Sequence, residues 1–175
     1  MRNALFLAVG FLLILVQSNL FRVLGPLHIS GVTPDLVLPL VVFLGVHEHS
    51  MSRGATLSAA LGYLLDLVAG APIGFFTFIQ VAVWWIARIA GVRLTAQTWL
   101  TRVSLGFLFS IVQAAIGLIL LAVFGSDTRR PVEIAVMVLP HAASTALLAP
   151  FVFGLVQKMH QAYLPAGTTA EGSNR

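Results

Sequence analysis

Residues 54–91 read GATLSAALGYLLDLVAGAPIGFFTFIQVAVWWIARIAG. Two apolar runs, Gly54 to Val68 and Pro72 to Gly91, meet across Ala69-Gly70-Ala71-Pro72. A glycine readily takes the left-handed conformation that ends a helix, and a proline suits the first position of the next. The stretch therefore predicts a tight antiparallel hairpin of helices, with Gly70 closing the first arm and Pro72 opening the second toward Gly74. Within the first arm Gly54, Ser58 and Gly62 recur every four residues and Asp66 continues the series. A flat stripe of small side chains thus leads to one carboxylate on the same helix face. In lipid the hydrophobic effect gains little between helices, and stripes of this kind let backbones touch.

Composition says that lipid is the solvent. Of 175 residues, 58% are hydrophobic and only 9% charged, with mean hydropathy +0.96; soluble domains carry about 25% charged residues. A water-soluble core of one domain could not hide so much apolar side chain. The expected architecture is an all-α integral membrane protein, a bundle of six transmembrane helices. Its single domain covers 1–158, with approximate spans 4–24, 34–49, 54–69, 72–91, 103–124 and 132–157. A small-residued polar tail, 159–175, is expected to be disordered. The first run, Ala4 to Leu24, reads as a span, since no A-x-A-like cleavage site follows it.

The second run, Pro34 to Val46, is the short one. Thr33 can cap it, Pro34 suits its first position and Asp35 suits the positive helix start. Its thirteen residues cover only about 20 Å. Either the bilayer thins there, with His47 to His49 at the interface, or the segment is re-entrant. Val103 to Phe124 is the cleanest span, and Pro140 and Pro150 are expected to kink the sixth.

The ten Lys and Arg flank the apolar runs, so the pI near 10.7 reads as membrane topology rather than nucleic-acid binding. With six spans and the N-terminus inside, the cytoplasmic side holds Arg2, Arg53, Arg88, Arg93, Arg102, Lys158 and Arg175. The outer side holds Arg22, Arg129 and Arg130. Five spans with the N-terminus outside give the same ratio, because Arg2 and Arg22 exchange sides. Six is preferred, since Arg2 and the free amino group would otherwise be translocated. The C-terminus is cytoplasmic in both. Trp84, Trp85 and Arg88 read as an interfacial belt at the cytoplasmic end.

Ala4 and Ala8 open the first run with the same small-residue spacing, and Gly106, Ser110, Ala114 and Gly117 repeat it in the fifth. Such stripes serve internal packing or the docking of a partner helix. Arg22, Asp35 and Asp66 fall at one outer level, where they can tie the first three helices together or meet a partner or ligand. Gln80 and Gln113 are expected to hydrogen-bond between helices.

Enzymatic signals are missing. Two carboxylates lack a nucleophile, metal or oxyanion site to work with. His141 and Ser144 lack a third group, and His47-Glu48-His49 lacks the spacing that puts two imidazoles on one helix face. With no cysteine, thiol catalysis and Cys-ligated metals are excluded. The expectation is no catalysis, no cofactor and no metal.

Pro34-Asp35-Leu36 opening a short second run, then Gly54 through Gly62-Tyr63-Leu64-Leu65-Asp66-Leu67 to Gly70-Ala71-Pro72-Ile73-Gly74, resembles the rod shape-determining protein MreD family. The hairpin is also similar to that of the substrate-binding S-components of energy-coupling-factor vitamin transporters, whose six-helix fold that family is thought to share. The resemblance implies a non-catalytic subunit of the bacterial inner membrane. Its partners would be the bitopic protein MreC and, through it, MreB filaments, RodA and a class B transpeptidase, in peptidoglycan synthesis and rod-shape maintenance. Membrane lipid is a further partner and nucleic acid is not. The alternative is a vitamin-binding S-component, for which Asp35, Asp66, Gln17 and Asn19 are the available polar groups.

Overall fold

The computed structural model describes residues 2–24, 34–48, 50–90, 99–124 and 131–162, and side chains within 4–20, 34–48, 50–90, 99–124 and 138–159. These residues form six helices and no strand: α1 (Arg2–Leu24), α2 (Val37–His47), α3 (Met51–Ala69), α4 (Phe75–Ile89), α5 (Trp99–Phe124) and α6 (Pro131–Ala162). Every apolar run read from the sequence is a helix. Two stretches are long and apolar enough to cross a membrane, Trp99–Phe124 and Val138–Met159.

The shortest helix is the centre of the molecule. Residues 34–45 are all buried, and α2 touches α1, α3, α4, α5 and α6. Its sequence, VLPLVVFLGVH, is apolar on every side, and such a helix needs neighbours on every side. It begins at Val37 rather than Pro34. Asp35 Oδ1 accepts the N–H groups of Val37 (2.9 Å) and Leu38 (3.1 Å), so Asp35 caps the helix from outside it and Pro34 precedes the cap. Thr33, expected as the cap, lies outside the described residues.

Around this centre the chain runs up and down in antiparallel pairs. α3 and α4 form the expected hairpin. Gly70 ends α3 at φ 64°, as its position suggested. Pro72 does not open α4, however. Its carbonyl accepts the Phe75 N–H at 3.1 Å, making one more turn, and Gly74 at φ 99° redirects the chain before α4 starts at Phe75. Both positive φ values lie where a side chain is strained.

α5 and α6 form the second pair. A Cβ on Gly106 of α5 would stand 2.5 Å from the Ala149 Cβ of α6 and 3.4 Å from the Ala146 Cα, so that pair closes through small residues as well. Neither Pro140 nor Pro150 ends α6. It continues to Ala162, so 159–162, assigned from the sequence to a disordered tail, are helical.

The outer surface is apolar. Ile73, Phe124, Phe151, Leu100 and Ile89 are among the side chains mostly exposed, while Asp35, Glu48, Asp66, Gln80, Gln113 and Thr145 are buried.

Candidate functional site: two capped helix starts inside the bundle

The two acids expected to share a cluster with Arg22 serve different helices. Asp66, in the last turn of α3, is buried and reaches across the hairpin to the start of α4. Its Oδ2 accepts the Gly74 N–H at 2.9 Å, the Thr77 N–H at 3.2 Å and the Thr77 hydroxyl at 2.7 Å, and its Oδ1 accepts the Phe76 N–H at 2.7 Å. The first N–H groups of a helix have no partner within it and carry its positive end. One carboxylate therefore satisfies the orphaned donors of α4 and fastens the two arms together.

Asp35 does the same for α2 from deep in the bundle. Besides Val37 and Leu38, its carboxylate accepts the Gln113 Nε2–H of α5 at 2.6 Å. Its own backbone N–H donates to the Thr145 hydroxyl of α6 at 3.0 Å, and the next N–H, of Leu36, donates to Gln17 Oε1 of α1 at 3.1 Å. Gln113 stands eleven residues before the end of α5 and Thr145 fourteen after the start of α6, or about 16 and 21 Å of helix. The start of α2 thus lies well below those ends, and three helices contribute side chains to hold it.

The sequence singles out Asp35, Asp66 and Gln113 as polar groups within the bundle but not their partners, and it expects Asp35 at the outer level of Asp66, whereas Asp35 lies deep among α2, α5 and α6. Each carboxylate has its own partners among the described residues, and no bond between the two is among them. The Arg22 side chain lies outside the described residues. Thr77 and Thr145 went unnoticed; Thr77 is the third residue of α4, and its hydroxyl donates to Asp66 rather than capping a helix N–H.

The small-residue stripe of α3 is internal. A Cβ on Gly62 would meet the Thr77 Cα at 2.5 Å, and one on Gly54 the Trp84 Nε1 at 2.6 Å. Ser58 between them is fully buried. The stripe of α1 is not: Ala4 and Ala8 are both exposed, and Gly10, which the spacing did not single out, is where α1 meets Leu61 of α3.

The interfacial belt is corrected in part. Trp84 is a core residue, 1% exposed, while Trp85 is 44% exposed. Gly54 gives the Trp84 ring its place, since a Cβ there would also stand 2.9 Å from the ring carbons Cε2 and Cζ2. Arg88 covers that ring at 5.7 Å and donates to the Glu48 carbonyl at 2.8 Å, joining the C-terminal ends of α2 and α4. Glu48 also lies 3.8 Å from Arg53.

Ser144 donates to the His141 carbonyl at 2.9 Å, so that hydroxyl serves its own helix. The His47 ring stacks on Phe43 at 4.1 Å. Among the described residues no three His, Cys, Asp or Glu side chains gather to hold a metal.

No family model matches the chain, and neither a curated protein nor a solved structure matches it significantly.

Proposed function

We propose that this chain is a membrane-embedded scaffold, a six-helix bundle with both termini in the cytoplasm that holds partner helices, in the manner of the MreD family it resembles. One observation carries the reading. Asp35 and Asp66 are both engaged as caps within the fold, while many large apolar side chains and the small residues Ala4 and Ala8 face outward. A protein arranged in this way has its polar chemistry turned inward to hold helices and its exterior free to meet lipid and other helices.

The partner would be a single-span protein of the MreC kind, and Ala4 and Ala8 on α1 offer a face where its helix can approach closely. Through that partner the scaffold would couple MreB filaments to RodA and its class B transpeptidase. The test is detergent purification from bacterial membranes with a tagged MreC-like protein. The scaffold reading expects the two to co-purify, and expects Ala4→Leu with Ala8→Leu to weaken capture while leaving thermal stability unchanged. No capture by the unaltered chain would count against it.

The vitamin-binding alternative draws on the start of α2. Half-helices that begin within a membrane protein are where transporters hold substrates. Here the chain's own Asp35 occupies that helix start. A rise in melting temperature with any member of a vitamin panel would favour the alternative.

A further inference from the structure

The seam between α3 and α4 contains polar groups that neither helix satisfies. Ser58 Oγ, both amide atoms of Gln80 and Trp84 Nε1 are buried and lack a hydrogen-bond partner among the described residues. Ser58 and Gln80 are 0% exposed and Trp84 is 1%.

The packing brings the three together. Gly54 lies against the Trp84 ring and Gly62 against Thr77. Ser58 stands midway between Gly54 and Gly62, and Gln80 lies three residues after Thr77 and four before Trp84. The antiparallel register therefore sets Gln80 opposite Ser58, with the Trp84 indole one turn away. All three belong to the inward faces of their helices.

Their donors and acceptors define the guest. Trp84 Nε1 only donates, Gln80 offers a donor and an acceptor, and the Ser58 hydroxyl does either. A cation suits only the oxygens, and an anion only the N–H and O–H groups. A molecule that donates and accepts at once suits every group, and buried water characteristically makes two to four such bonds to polar atoms the fold leaves over.

We propose that the α3–α4 seam binds water between Ser58, Gln80 and Trp84. The bound water completes the hydrogen bonding of the hairpin one turn along α3 from the close contact of Gly62 with the Thr77 backbone. This site is separate from the Asp35 and Asp66 caps and does not depend on the scaffold reading.

Nuclear magnetic resonance of the isotopically labelled protein in lipid nanodiscs tests this, reading water cross-peaks at the Gln80 side-chain amide and the Trp84 indole N–H. Cross-peaks at both groups are expected, with the Trp84 peak lost in Gln80→Met and the melting temperature of that variant lowered. Absence of a water cross-peak at both groups in the unaltered protein overturns the proposal. So does a higher melting temperature for Gln80→Met, the behaviour of an amide buried dry. The unaltered protein decides the question even where the variant fails to fold.

Discussion

Two stripes of small residues share one spacing and meet different fates. On α3, Gly54, Ser58 and Gly62 lie against α4, closely enough that a Cβ at Gly62 would strike the Thr77 backbone. On α1, Ala4 and Ala8 are exposed. The four-residue repeat says that a helix face is smooth, and whether a neighbour lies on it depends on the chain's connections. α3 has a partner because Gly70 and Gly74 turn the chain straight back along it and Asp66 fastens the return. α1 turns its smooth face away from the bundle and meets α3 through Gly10.

That contrast makes unequal predictions for the two faces. Gly62→Leu is expected to have the largest effect, because backbone atoms of α4 cannot step aside as a flexible side chain would. A loss of about 3 kcal/mol or more should appear as a lowered midpoint in detergent-based unfolding. Asp66→Ala comes next. It leaves the N–H groups of Gly74, Phe76 and Thr77 without their acceptor, a change worth about 2–3 kcal/mol, and Asp66→Asn, which keeps an acceptor oxygen, should lose less in the same measurement.

Gln113→Leu removes one donor from Asp35 and is expected to cost about 1–2 kcal/mol. A double-mutant cycle with Asp35→Asn should show coupling, since the two residues share one bond; additive losses would separate them. Ala4→Leu and Ala8→Leu close the series, each within about 0.5 kcal/mol of the unaltered protein. A large destabilisation at Ala4 or Ala8 would show that α1 buries this face after all.

Much of the fold was legible because long apolar runs admit little but helices, and glycine and proline punctuate them. Gly70 was read correctly since a left-handed residue after a helix has a local cause. Pro72 misled because a proline that can start a helix can equally sit in the turn before one, and Gly74 settled the matter. The shortness of α2 raised only the question of whether it spans or re-enters, and its uniform apolarity was the signal that it lies at the centre. Trp84 was placed at an interface by its residue type; its burial follows from glycines on other helices, Gly54 of α3 against its ring and Gly45 of α2 against its backbone. The caps were half visible. Asp35 and Asp66 stand out as lone acids in apolar sequence, but Gln17, Gln113 and Thr145 are joined to Asp35 only by the packing of helices distant along the chain.

The scaffold proposal puts this bundle in a membrane with the α3–α4 turn on the outer side. Because the chain has no cysteine, single cysteines report position cleanly. Ile73, 78% exposed at the turn, and Met51, 49% exposed at the start of α3, are separated by the nineteen residues of that helix, about 28 Å. In intact cells a membrane-impermeant maleimide should label Ile73→Cys at once and Met51→Cys only after the membrane is opened. Equal labelling of both before opening would contradict the account.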